Sequence, residues 1–378
     1  MSSDVSMAPI YETEMRLHTK IRRQGSRFIG NRFSRWLICA VAGAVIVGCL
    51  FPAAVPVEAK KKPPRVVKVK IVADQDFARQ SAWQRKAAYM LQDIGGETAS
   101  ALDVTFRIIG YERWRHDPEK DLFRLTARMV KEVPCDSADA LIGFTLAPCP
   151  DSAAGQFAGV SITFKGMIIQ TYQGRCAGNQ MVPYCLLHET VHLMGGVHVP
   201  DGSLMSPLFR DTISVTLDQL NSRILQLTRD VDFKRGYESL PAEKLEELAG
   251  LYGQATAGND VTTILVTLGT IFRLLAQPEA AMVILREVIR QDSSFTDAWL
   301  ELGRCYMQSG RHDSALTLYD SACGHADDPG AVYLELARLY LGRGDKENAR
   351  RCAGLAEKQG TRIDSALAEQ LESDSKSE

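Results

Sequence analysis

Residues 188 to 198 read His-Glu-Thr-Val-His-Leu-Met-Gly-Gly-Val-His, an H-E-x-x-H-x-x-G-x-x-H spacing. No other stretch constrains the local fold as tightly. On a helix, His188 and His192 lie one turn apart on one face, so both imidazoles reach a common ion at about 2.0–2.1 Å. Gly195 can take the positive φ that ends such a helix, and the reversed chain then returns His198 as a third ligand. Three imidazoles and one open position are the pattern of a catalytic zinc, whereas structural zinc is usually closed by four side chains, commonly cysteines among them. One Zn2+ is therefore expected on His188, His192 and His198. Glu189, beside the ligands rather than between them, is the candidate general base. The competing reading, an amphipathic helix with surface histidines, leaves the glycine and the third histidine unexplained.

Ser203-Leu204-Met205-Ser206-Pro207 then places a methionine in a tight turn seven residues after the third histidine. Together with the zinc pattern this resembles the metzincin metallopeptidases, in which the methionine of that turn forms a hydrophobic floor under the three-histidine site. Met205 is the matching residue, and the resemblance gives it no ligand role. Pro207 stands where astacin-like and serralysin-like members carry a tyrosine, so no tyrosine ligand is implied. Matrixins and reprolysins are closer, and Val199 after the third histidine leaves the subfamily open. The resemblance implies an α+β fold, a mixed five-stranded sheet with an active-site helix, and zinc-dependent hydrolysis of peptide bonds with Glu189 as catalytic base. It is strong over residues 185–207 and architectural over 66–235.

The residues before the zinc motif have the order such a fold requires. Val66 to Asp74 alternates as a strand, 81–93 reads as a helix, 104–111 as a strand, 119–132 as a helix and 138–145 as a strand. Two short strands follow at Gly159–Phe164 and Met167–Thr171. The first reads either as an exposed edge that pairs with extended substrate or as half of an internal hairpin. Leu217 to Arg229 reads as a closing helix.

The C-terminal third repeats itself with a period of 34 residues. Trp299, Leu302, Gly303, Tyr306, Gly310, Ala315, Tyr319 and Ala322 return as Tyr333, Leu336, Ala337, Tyr340, Gly344, Ala349, Ala353 and Ala356. An earlier copy carries Leu265, Leu268, Gly269, Phe272, Ala281 and Leu285. The register resembles the tetratricopeptide repeat, in which large residues fill the space between two helices and small ones let them approach. Three repeats over 262–360 form an α-solenoid whose concave groove is expected to bind a protein partner or recruit substrate; a spacer or stabilising lid is the other reading. Residues 236–261 are expected to connect the two parts through a helix, and 361–378 to form an acidic tail.

At the other end, residues 1–59 combine a basic stretch (Arg22, Arg23, Arg27, Arg32, Arg35) with an apolar run beginning at Trp36. A cleaved signal peptide, a membrane anchor over 36–57 and lipidation at Cys49 are three open readings. All put the protein outside the cytoplasm, secreted, periplasmic or membrane-anchored. Lys60 to Arg65 is a linker, with no room for a globular prodomain. Export permits disulfides, and neighbour pairing of Cys135 with Cys149 and of Cys176 with Cys185 is the preferred arrangement of three. The formal net charge of −2, without a dense basic patch beyond the N-terminus, argues against a nucleic-acid partner. Two function classes remain: an exported zinc endopeptidase acting on peptide or protein substrate, and a catalytically inactive repeat adaptor on a zinc-stabilised scaffold.

Overall fold

The alternating run forms strand β1 (Arg65–Ala73), with Val67, Val69 and Ile71 fully buried on one face and Lys68 and Lys70 on the other. The computed structural model describes residues 63–93, 102–148, 159–174, 179, 182–200, 202–206, 215–255 and 261–372. After β1 come α1 (Trp83–Asp93), β2 (Val104–Arg113), α2 (Leu122–Glu132), β3 (Ala140–Ala147), β4 (Gly159–Ile162) and β5 (Gly166–Tyr172). The strands make one five-stranded sheet in the order β2-β1-β3-β5-β4. All neighbours run parallel except β4, which pairs antiparallel with β5 from Gly159↔Ile169 to Ile162↔Gly166. Parallel neighbours need long crossovers, which α1 and α2 supply, while the Thr163–Lys165 turn suffices for the antiparallel pair. The expected strands and helices are thus present to within a few residues. The two open readings of Gly159–Phe164 merge, because β4 is both a hairpin partner and an edge strand.

Helix α3 (Val182–Leu193) carries His188, Glu189 and His192 and is buried along most of its length. Helix α4 (Gln219–Thr228) follows, its first turn capped by the Asp218 carboxylate, which accepts from Asn221 N. Next come α5 (Ala242–Ala255) and three antiparallel pairs: α6 (Val261–Leu274) with α7 (Pro278–Gln291), α8 (Thr296–Gln308) with α9 (His312–Ala322), and α10 (Pro329–Gly342) with α11 (Lys346–Lys358). The small positions of the 34-residue register sit where helices touch. A Cβ on Gly303 would lie 2.1 Å from the Tyr319 ring, and one on Gly269 would lie 2.7 Å from Leu285.

The end of the chain departs from expectation. Residues 361–378 were expected as a tail, yet Ser365–Glu372 forms a helix, α12, with Leu367 and Leu371 buried against the last repeat. An i,i+4 apolar pair is enough to seat one turn on a waiting surface, and the acidic composition around it masked the signal.

The sheet region and the first repeat share one hydrophobic core. It runs from Val69 and Ile142 of the sheet through Leu187 of α3 and Ile224 of α4 to Leu248 of α5 and Leu268 of α6. The segment between the two parts is therefore a packing layer. A second, polar contact closes on the far side, where Lys131 of α2 meets Asp328 at 2.9 Å and the Gln359 carbonyl at 3.1 Å, and Arg362 donates to the Glu132 carbonyl at 2.8 Å.

Candidate metal centre

Three features of β4 and the turn after it hold α3 in place. The Ser161 hydroxyl donates to the Glu189 carbonyl at 2.8 Å, the Thr163 hydroxyl to the His192 carbonyl at 3.2 Å, and Phe164 N to the Leu193 carbonyl at 2.9 Å. Carbonyls at a helix C-terminus lack partners within the helix, and for Leu193 the turn after β4 supplies one. Gly159 lets the strand approach closely, since a Cβ there would stand 2.7 Å from both Cys185 Sγ and Glu189 Cγ.

Gly195 has φ +93°, the positive value anticipated for the residue that ends the helix. The chain reverses, and His188, His192 and His198 converge. Their Nε2 atoms form a triangle with all three sides 3.1 Å. His188 Nδ1 faces the Leu204 carbonyl at 2.8 Å and His192 Nδ1 faces the Gly196 carbonyl at 2.9 Å. A carbonyl only accepts, so those two Nδ1 atoms carry the protons and the two Nε2 atoms present lone pairs. A proton on His198 can bridge only part of the triangle; a cation near its centre satisfies all three nitrogens. Corners of such a triangle lie about 1.8 Å from its centre, close to the about 2.0–2.1 Å of a zinc–imidazole bond. The donor set fits a zinc ion with one position left for water or substrate. Among the described residues this is the one group of three or more His, Cys, Asp or Glu side chains arranged to hold a metal.

Burial sets the charge states. Desolvation, with a smaller contribution from the neighbouring imidazoles, lowers His188 and His192 to about 3 and His198 to about 4. All three are neutral near pH 7, the state in which imidazole binds a metal. Desolvation raises Glu189 to about 7, moderated by the Ser161 hydroxyl. Glu189 follows His188 on α3 and is buried against Gly159 of the edge strand. Met205 is fully buried, and its carbonyl accepts from Val199 N at 3.0 Å, which ties the methionine turn to the residue after the third histidine.

Several residues that pattern reading passed over complete the turn. Asn221, fully buried on α4, accepts from Val197 N at 2.8 Å and donates to the Val197 carbonyl at 2.9 Å, clamping the residue before His198. The Thr228 hydroxyl donates to the Met194 carbonyl at 2.8 Å. The Tyr252 hydroxyl donates to the Gly195 carbonyl at 2.7 Å, and Tyr237 lies 2.7 Å from that same hydroxyl. An asparagine three and four residues before Ile224 and Leu225, on the apolar face of a helix, was the one visible signal among these.

Cys135 and Cys185 are free thiols, and burial raises both above their ordinary values. Their expected disulfide partners Cys149 and Cys176, Pro207, and the whole segment 1–59 lie outside the described residues. Among the described residues no helix is long and apolar enough to cross a membrane, and the candidate anchor at 36–57 is not among them.

Residues 275–329 match the tetratricopeptide repeat family, so the helical C-terminal region carries that repeat. No curated protein matches the chain. Solved structures similar to it include a crystal structure of MamA, at 20% identity and a TM-score of 0.26, covering 38% of this chain and 95% of that one. MamA MSR-1 C2 is 18% identical with a TM-score of 0.29, covering 46% and 87%. A MamA AMB-1 structure is 20% identical with a TM-score of 0.24, covering 39% and 86%. TM-scores this low carry no argument. What the comparisons support is protein interaction through the repeats; they give no support to peptidase activity.

Proposed function

We propose that this chain is a zinc-dependent endopeptidase whose tetratricopeptide array brings it protein substrate or a partner. The observation that carries the proposal is the convergence of three neutral imidazoles on one point, with a buried carboxyl whose pKa lies near 7 on the residue that follows the first of them. His188, His192 and His198 would hold the ion, and Met205 would floor the site. Zinc in such a site supplies a Lewis acid and an acidified water. Glu189 accepts a proton from water and returns it to the leaving amine, and a pKa near neutrality suits a group that must do both. The half-buried edge strand β4, against α3, offers backbone groups with which an extended chain can pair. On the export reading of residues 1–59 this chemistry takes place outside the cytoplasm.

A second reading has its own observation. The family match reaches only the repeats, and a noncatalytic adaptor built on a zinc-stabilised scaffold accounts for that match without any hydrolysis. The comparisons favour this reading, and the geometry of the histidines and Glu189 favours the first. Incubating an unbiased peptide mixture with the zinc-loaded full chain separates them. The peptidase reading expects new termini from wild type and a loss of at least about a hundredfold in Glu189→Ala with zinc retained. Cleavage by Glu189→Ala at the wild-type rate, or no cleavage by folded protein holding one zinc, removes it and leaves the adaptor.

A further inference from the structure

We infer that Tyr252, on the helix that leads into the repeats, is a positioning residue of the metal centre, so that the repeat array and the zinc turn behave as one mechanical unit. The inference rests on the reading that the three histidines hold zinc.

Gly195 is the pivot at which the chain turns back from α3 toward His198. Its carbonyl lies just past the helix end, in a buried region where an unmatched acceptor is costly. The Tyr252 hydroxyl, fully buried on α5, donates to it at 2.7 Å. Because that hydroxyl has a single proton, the 2.7 Å contact with Tyr237 must run the other way, giving the directed chain Tyr237 O–H to Tyr252 O–H to Gly195 C=O. The two hydroxyls sit so close to the pivot that no side chain fits there, since a Cβ on Gly195 would stand 2.9 Å from the Tyr252 hydroxyl and 3.0 Å from that of Tyr237. One residue further on, the Gly196 carbonyl accepts from His192, and after it Val197 is clamped by Asn221. The position of His198 therefore depends on three consecutive backbone anchors, of which the first comes from outside the sheet region. The apolar stripe of α5 that carries Tyr252 belongs to the same core as α6, the first helix of the array. Movement of α5 on partner binding would reach His198 through Gly195, and by linkage zinc binding would stabilise α5.

Tyr252→Phe removes one hydroxyl and leaves the ring packing. We expect zinc affinity of the full chain, measured by competition with a chelating dye, to fall about tenfold, in the range for outer groups that orient metal ligands. The visible absorption of the cobalt(II)-loaded chain should shift, which a merely stabilising residue would not cause. Leu336→Ala, which hollows the separate core of the later repeats, should lower the melting temperature without changing either readout. Should Tyr252→Phe fail to fold, Tyr237→Phe takes its place, with a loss of a few-fold expected because it removes only the second link of the chain. Unchanged affinity and spectrum in the folded variant overturn the inference while leaving the zinc reading intact. Wild-type protein that binds no zinc overturns both.

Discussion

Glu189 and its histidine neighbours are buried titratable groups with opposite demands on pH. In the zinc-free protein the histidines sit at about 3 to 4, below the roughly 6.5 of an unfolded chain. The unfolded state takes up those protons first, so the stability they contribute is complete above about pH 6.5 and is lost as pH falls toward 3. Glu189 runs the other way. Raised to about 7, it contributes most below the unfolded value near 4.5, and that contribution is lost as pH rises through 7. Glu189→Gln should therefore stabilise the zinc-free protein at pH 8 by on the order of 2–3 kcal/mol and have little effect at pH 4. Melting curves at the two pH values check this, and an equal shift at both would mean that burial does not control the carboxyl. The convergence of His188, His192 and His198 was legible because the spacing of the motif on a helix that ends in a glycine turn dictates it. Asn221, Tyr237 and Tyr252 were not, because a buried tyrosine on an apolar helix face reads as core until its hydroxyl is seen to meet a backbone carbonyl.

At the scale of elements, glycines separate positions where a helix needs space from positions where it merely tolerates flexibility. Gly303 sits against the buried Tyr319 ring, with a hypothetical Cβ only 2.1 Å away. Replacement by Ala gains roughly 1 kcal/mol of helix propensity and loses about 1–3 kcal/mol or more to overpacking, so Gly303→Ala should destabilise the array. Gly250, in the middle of α5, has nothing within 4 Å of its Cβ position, and Gly250→Ala should stabilise by up to about 1 kcal/mol. Chemical denaturation of both variants reads the two signs, and the same sign for both would contradict the packing account. The charged ladder across the repeats makes a second test. Glu301, almost fully buried, pairs with Arg273 at 2.8 Å and with Arg304 at 2.5 Å, and Arg304 continues to Glu335 at 3.0 Å. Glu301→Ala leaves Arg273 only Glu238 at 3.4 Å and Arg304 only Glu335, and should cost on the order of 2–3 kcal/mol, measurable in the same experiment, whereas a loss below about 1 kcal/mol would place the ladder in solvent. The 34-residue period made the helix pairs legible, since identical spacing forces identical packing. Pairing between Glu301 and its neighbours was hidden, because the first repeat carries Thr267 and Thr270 where later repeats carry glutamate and arginine. Helix α12 was hidden for another reason, its two leucines being outnumbered by acids.

The whole molecule is held together unequally at its two junctions. Between the sheet and α5–α6 the contact is a continuous apolar core, while α2 meets the last repeat through a few polar groups. A part-exposed ion pair such as Lys131–Asp328 contributes about 0.2–1 kcal/mol, far below a buried apolar layer. Lys131→Ala should therefore leave zinc affinity unchanged and lower global stability by less than about 1 kcal/mol, while raising hydrogen exchange around 326–330 and 359–362. A large loss of stability would show the polar contact to be a principal junction. The division into a sheet part and a repeat part could be read from the change of period along the chain. Their fusion could not, because the single apolar stripe of α5 shows that the helix packs, not how many neighbours share that stripe.

Everything proposed for this chain depends on a zinc ion with three imidazole ligands and one open position. Zinc K-edge X-ray absorption on the metal-loaded full chain measures that coordination directly. The account predicts three nitrogens at about 2.0–2.1 Å and one oxygen from solvent, with the nitrogen shell lost in His198→Ala. A fourth protein ligand, such as a sulfur at about 2.3 Å, or the absence of stoichiometric zinc, would contradict it.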